Sequence, residues 1–332
     1  MEYPKFKVCC RCFTFNHSKY ITDTMNGFTM QQTSFPFVCC IVDDASTDGE
    51  QEVIRKYVEE NFDFSEGSVA YHKETDYAHI TYAQHKTNKN CYFAVLYLKE
   101  NHYSQKRPKL PYLEEWRGMC IYESPCEGDD YWIDPKKLQK QFNLMKSHQD
   151  CTLCFHSIKE IYEGRHYLDK IRNKVENREY SGIEWYKTRP SQFASFFYRL
   201  WILNSELYQQ VRANKGFIAG DIPLLLTCAH YGKLFGISDI MSVYRHNETG
   251  WTAQKRTDEQ IWKIIDSQYE YQIFGEEFKQ YSKYFAQREC ASMILTNLKR
   301  FRIKKEFVRY SLNISFIGFI RSLYKVATKQ ND

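Results

Sequence analysis

Two apolar runs of strand length stand early in the chain, and neither alternates with polar residues. Residues 7–15 read KVCCRCFTF and residues 37–42 read FVCCIV. A strand with one wet face alternates, whereas a strand covered on both faces is continuously apolar, as in parallel sheets layered between helices. Between the runs, Tyr20, Ile21, Met25 and Phe28 recur at helical spacing, with Ser18 placed to cap that helix. After the second run, Val53, Ile54, Tyr57 and Val58 do the same. The order strand, helix, strand, helix predicts an α/β fold with a mostly parallel sheet. Such sheets bind ligands at the carboxyl ends of their strands. The second run ends there in Asp43-Asp44-Ala45-Ser46-Thr47-Asp48-Gly49.

A second acidic strand end follows. A strand-like run over residues 117–123 leads into Ser124-Pro125-Cys126-Glu127-Gly128-Asp129-Asp130-Tyr131-Trp132, and Pro135 is placed to open a helix. Three carboxylates within four residues repel one another unless a positive charge sits among them. A hard divalent cation completed by phosphate oxygens is the usual solution for a cluster such as Glu127, Asp129 and Asp130. Residues 107–111, Arg-Pro-Lys-Leu-Pro, read as an exposed loop.

Composition narrows the class. The chain has 332 residues, 43% of them hydrophobic, with 26 Tyr and 23 Phe, which excludes a disordered chain. No apolar run reaches the ~20 residues of a membrane-spanning helix. The start, MEYPKFKVCC, has no secretory pattern, so a cytoplasmic location is expected. In that compartment the 12 cysteines read as buried small hydrophobes, and Cys151-x-x-Cys154 lacks a second ligand pair for zinc. The net charge of +5 is uneven. Residues 299–329 hold nine Lys/Arg against Glu306, which leaves a slightly acidic body with a basic tail rather than a nucleic-acid binder.

Taken together, the motifs resemble family 2 glycosyltransferases of the GT-A fold, of the bacterial type that builds surface polysaccharide or lipopolysaccharide. The matching pieces run in family order over residues 5–255: Cys12-Phe13-Thr14-Phe15-Asn16, IVDDASTDGE (41–50), CEGDDYWIDPKKLQKQ (126–141), Gly220-Asp221-Ile222-Pro223-Leu224 and Tyr244-Arg245-His246-Asn247-Glu248-Thr249-Gly250. The resemblance implies an inverting, metal-dependent hexosyltransferase. It would move a sugar from a nucleotide-sugar, usually a UDP-sugar, to a hydroxyl on a saccharide or lipid-linked saccharide, with Mn²⁺ or Mg²⁺ bound. By the same resemblance Asp44 contacts the base, bordered by Phe13 and Phe15. Asp129 sits by the ribose or the metal, Asp130 binds the metal, and Asp221 is the catalytic base. Arg245 and His246 belong to a loop the family uses near the diphosphate. In this chain the His is displaced by one position, and Asn247 takes its usual place.

The expected domains are a catalytic domain over 1–255 and a helical extension over 256–332. In the extension, Leu312, Phe316, Phe319, Ile320, Leu323 and Tyr324 form one apolar helical face behind a basic stretch. That pattern suits the anionic inner face of the cell membrane, or equally a helix docked on the body. Lys86 and Lys89 are further candidates for phosphate contact. The aromatic-rich stretch 180–201 suits either an acceptor surface or core packing. Two rival readings are a nucleotidyltransferase acting on sugar phosphates, for which the 13–20 loop lacks glycines, and a non-catalytic membrane-associated adaptor that keeps the fold.

Overall fold

A computed structural model describes residues 3–214, 220–247, 268–298 and 305–328. The chain divides into two compact units. The first comprises residues 1–180, 189–202 and 231–254, and the second comprises 181–188, 203–230 and 255–332.

The first unit is built on a sheet with twelve strands among the described residues. Its centre is the predicted βαβα segment: β1 (Val8–Thr14), α1 (Ile21–Thr29), β2 (Phe37–Asp43) and α2 (Glu50–Asn61). β1 and β2 are parallel, from Val8 opposite Phe37 to Thr14 opposite Asp43. Every residue of β2 is buried, which is why its sequence does not alternate. Beyond β2 come β3 (Tyr71–Glu74), β4 (Ala78–Gln84) and the wholly buried β5 (Cys91–Leu98), which is parallel to β2. On the other side β6 (Tyr122–Pro125) runs parallel to β1. After β6 the chain forms β7 (Tyr131–Trp132), a helix over Lys137–Ser147, β8 (Cys151–Tyr162), β9 (Lys170–Ile171), β10 (Glu179–Tyr180), β11 (Phe197–Arg199) and β12 (Lys233–His246). β12 lies parallel to β8, with register shifts around 237–242 that mark a bulge.

Local details differ from the sequence expectation. Ser18 does not cap α1, which begins behind Tyr20 without a side-chain cap. Instead the Ser18 N–H donates to Asp48. The stretch before β6 is a helical turn, Glu114–Arg117, that buries Trp116. The helix expected from Pro135 starts at Lys137 and buries Leu138, Gln141 and Met145. All twelve cysteines are free and buried, as their apolar settings implied. Most of the aromatic stretch is packing: Tyr180, Trp185, Tyr186, Phe196, Phe197 and Tyr198 are all buried.

The second unit is helical. It includes Gly182–Thr188, Glu206–Ala213, Asp221–Tyr231, Lys279–Leu298, Lys305–Ile314 and Phe316–Thr328. Among the described residues, no helix is long and apolar enough to cross a membrane.

Candidate active site

The parallel strands β1, β2 and β6 deliver three loops to one edge of the sheet, and side chains from each loop lock onto the others. Asn16, held at φ 59°, accepts from the Thr47 N–H at 2.8 Å, while its own N–H donates to Ser46 Oγ at 2.9 Å. Glu50, fully buried, accepts from Thr14 Oγ1 at 2.5 Å, from the His17 N–H at 2.9 Å and from Ser46 Oγ at 2.9 Å. Burial pushes its carboxyl up to about 7. Nothing in the sequence singled out Glu50, because its role arises only when the two loops meet.

Asp44 is wholly buried, and both of its oxygens are engaged. Oδ1 accepts from the His102 N–H at 2.7 Å. Oδ2 accepts from the Tyr103 N–H at 3.0 Å and from Lys109 Nζ at 2.7 Å. The loop expected to be exposed therefore turns inward at Lys109, whose side chain is only 14% exposed. The Lys109 ammonium also lies 5.1 Å from the centre of the Phe13 ring, and the Arg11 guanidinium lies 4.7 Å from it. Phe13 thus presents a ring flanked by two cations. Phe15 is 42% exposed.

The acidic loop after β6 is set by its glycine. A Cβ on Gly128 would overlap the Thr14 side chain and come within 3.0 Å of His17 Nδ1, so only glycine lets the loop lie against β1. Thr24 Oγ1 donates to the carbonyls of Gly128 and Asp130 at 3.1 and 2.6 Å. The carboxylates that result are not equivalent. Asp130 is buried, and its Oδ1 accepts from the Arg245 N–H at 2.9 Å. Burial, with Asp129 beside it, drives its pKa well above the carboxylate range. Asp129 and Glu127 reach solvent, with side chains 18% and 35% exposed. Burial and the Asp129 charge push Glu127 up to about 7, against the pull of Arg11.

Arg11 connects this loop to a buried ion network. Its Nε lies 2.8 Å from Glu123, which also takes Arg117 Nε at 2.6 Å and the Tyr198 hydroxyl, and its other end is 3.7 Å from Glu127. Burial alone would push Glu123 up, but the two guanidinium groups outweigh it and hold its carboxyl below the usual range. An arginine inside an apolar strand was the sequence signal for this network.

β12 closes the site from the other side, and its pleat sorts the motif Arg245-His246-Asn247. Arg245 and Asn247 face the acidic loop. Arg245 Nε donates to the Asp129 carbonyl at 3.0 Å, and Asn247 Nδ2 donates to Asp129 Oδ2 at 3.0 Å. The remaining arms of Arg245 reach Asp23 at 2.7 Å and Glu163 at 3.4 Å, and its guanidinium lies over Tyr20 and Tyr131. His246 points to the opposite face, where it stacks on Tyr162 with ring centres 4.0 Å apart. Strand alternation explains the displacement noted in the sequence: Asn247, not His246, shares a face with Arg245. His17 lies 3.8 Å from Asp129 and is held below its ordinary pKa by burial.

The remaining candidates belong to other elements of the chain. Lys86 donates to the carbonyls of Glu59 and Glu60 at the end of α2, and Lys89 stands in the turn before β5, at the opposite edge of the sheet from the acidic loops. Asp221, in the second unit, is the first residue of the helix Asp221–Tyr231, and its Oδ1 accepts from the Ile222 N–H. Glu248, Thr249 and Gly250 lie outside the described residues.

The donor set fits a hard divalent cation. Glu127 and Asp129 offer partly exposed carboxylate oxygens, and a Mg²⁺- or Mn²⁺-type ion takes one or two carboxylates plus substrate oxygens. Among the described residues, no three His, Cys, Asp or Glu side chains are grouped to hold a metal by themselves.

No protein-family model matches the chain. It is 26% identical over 256 residues to the uncharacterized proteins Rv1520 of Mycobacterium tuberculosis and Mb1547 of Mycobacterium bovis, a match that takes in 75% of this chain. The match spans 62% of the length of those relatives. Among solved structures, S. aureus TarS 1-349 in complex with UDP-GlcNAc superposes with a TM-score of 0.56 at 15% identity, over 96% of this chain and 82% of that one. The same protein in complex with UDP gives 0.54 at 13% identity, over 98% and 92%. The fold is of the GT-A type, as the resemblance implied.

Proposed function

We propose that the chain is a glycosyltransferase that moves a sugar from a nucleotide-sugar, with UDP the expected nucleotide, to a hydroxyl acceptor in the building of a bacterial surface saccharide. One observation carries this reading. The Glu127–Asp130 loop is pinned at its glycine by Thr14 and at Asp130 by Arg245, so that Glu127 and Asp129 stand open at the carboxyl ends of parallel strands. The resemblance of the TarS complexes with UDP and UDP-GlcNAc supports a nucleotide-sugar as the donor.

In this reading Glu127 and Asp129 hold the divalent cation and Asp130 positions them, a change from the sequence expectation that follows from burial. Bound there, Mn²⁺ or Mg²⁺ supplies positive charge against the departing diphosphate. Asp44 acts on the base through the 101–109 loop that it anchors, with Phe13 and Phe15 bordering the base. Arg245 and Asn247 fix the carbonyl and carboxylate of Asp129. Asp221 takes the proton of the acceptor hydroxyl as its oxygen bonds to the sugar C1 and the C1–diphosphate bond breaks. A single displacement of this kind inverts the anomeric centre.

The test is release of free nucleoside diphosphate from a panel of nucleotide-sugars, paired with thermal melts in UDP with and without Mn²⁺. Metal-dependent UDP protection, with turnover lost in Asp129→Asn and Asp221→Asn, is the expected result. No protection by any nucleoside diphosphate overturns the donor site. Protection without turnover on any sugar favours the adaptor reading.

A further inference from the structure

The apolar stripe foreseen in the tail divides into two faces with different fates. On the helix Phe316–Thr328, Phe319 is buried and Leu323 half-buried, both against Ala286, Cys290 and Ile294 of the helix Lys279–Leu298. Gln287 secures the turn between the last two helices, donating to Ser315 O at 2.9 Å. This face is a docked interface. The other face has no such partner among the described residues: Phe316 is 66% exposed, Ile317 79%, Ile320 50% and Tyr324 61%, with Leu312 of the preceding helix at 39%. At 3.6 residues per turn the four residues of the last helix fall within an arc of roughly 100°. Large apolar side chains gathered on one exposed arc mark a contact surface rather than scattered surface residues.

Charge identifies what the arc meets. Arg321 lies beside it and is exposed, as are Lys305 and Arg309 on the preceding helix. Residues 299–329 hold nine Lys/Arg and one acid. An anionic bilayer surface rewards cations beside an apolar strip, because the lipid phosphates pair with them. At 13 residues, the last helix is too short to span a bilayer but long enough to lie in its headgroup layer. We propose that this face docks the protein on an anionic lipid surface, with Leu312, Phe316, Ile317, Ile320 and Tyr324 entering the headgroup layer and the basic residues pairing with lipid phosphates. The inference concerns the second unit alone and does not rest on the sugar-transfer reading.

The test is co-sedimentation of the full chain with vesicles of phosphatidylcholine, alone or mixed with phosphatidylglycerol. Binding is expected on the mixed vesicles, weakened by salt. Ile317→Asp with Ile320→Asp abolishes it while circular dichroism and melting temperature stay unchanged, because both side chains are exposed. Arg309→Gln with Arg321→Gln weakens it by about fivefold per cation removed. Failure to bind mixed vesicles, equal binding to pure phosphatidylcholine, or unchanged binding by the double aspartate variant overturns the proposal. So does sedimentation velocity showing a wild-type dimer that the aspartate variant splits, since the face would then join two copies of the chain.

Discussion

The ammonium of Lys109 lies 2.7 Å from Oδ2 of Asp44, a carboxylate with no exposed surface. Removing one partner of a buried ion pair leaves the other uncompensated. Lys109→Met is therefore expected to lower stability by about 2–4 kcal/mol, the lower end because Lys109 keeps some contact with water. The double variant with Asp44→Asn is expected to cost less than the two single changes summed. Urea denaturation of the four proteins checks both statements.

Asp129 and Asp130 are adjacent but differ in exposure, the first reaching solvent and the second buried. Asp129→Asn is expected to leave the melting temperature within a degree or so and to lower kcat by about 10²–10³, the range for losing one electrostatic contact to developing charge. Asp130 is buried, which raises its pKa, and its Oδ1 accepts the Arg245 backbone N–H. Asp130→Asn can keep that bond and is expected to retain far more turnover than Asp129→Asn. Steady-state kinetics on whichever nucleotide-sugar is turned over decides the order.

Gly128→Ala tests the pinning of the loop. Its Cβ would collide with Thr14, and overpacking of this kind costs about 1–3 kcal/mol. The loop can yield only by moving Glu127 and Asp129, so metal-dependent UDP protection in a thermal melt should fall with stability. Thr14→Ser removes the methyl group but keeps the hydroxyl, and is expected to restore part of both in the Gly128→Ala background.

Two buried groups give stability opposite slopes with pH. Glu50 in the native protein keeps its proton up to about 7, whereas the unfolded chain loses it in the ordinary carboxylate range. Between those limits the native state binds more protons, so stability falls as pH rises to about 7. Lys137 is fully buried, donates to Ser124 Oγ and Gln141 Oε1, and is pushed down to about 7 by burial. From there to the ordinary lysine value of 10.5 the unfolded chain binds the extra proton, so stability rises with pH. Glu50→Gln should flatten the first slope and Lys137→Met the second, read from denaturant midpoints across the pH range.

The sheet was legible because β1 and β2 are buried on both faces and write that burial into unbroken apolar runs. The acidic end of β2 was legible for the same reason, whereas the one after β6 stood out by its three clustered carboxylates, since β6 (Tyr122–Pro125) is not an unbroken apolar run. What stayed hidden depends on contacts between distant segments. Glu50 looked like an ordinary first-turn acid until Thr14, His17 and Ser46 converged on it. Lys109 sat in a Pro-bounded stretch that reads as solvent-exposed, and only Asp44, 65 residues away in the chain, draws it inward. The ranking of Asp129 above Asp130 as the open carboxylate is a matter of which way a short loop turns, and spacing alone carries no such information. The tail was half legible: helical periodicity found most of its apolar residues, though not Ile317, and could not divide them into a packed side and an open one.

The bulge in β12 has a further implication. Two residues downstream of a strand irregularity keep their faces only while the count between them and the irregularity is preserved. Residues 238–239 have no partner in β8 between Ile237 opposite His156 and Ile240 opposite Ser157, so the bulge can take up the loss of one of them, whereas losing one residue from the regular ladder at 243–244 would exchange the faces of His246 and Arg245. The regular part of this strand is therefore expected to tolerate a change in letter better than a change in length.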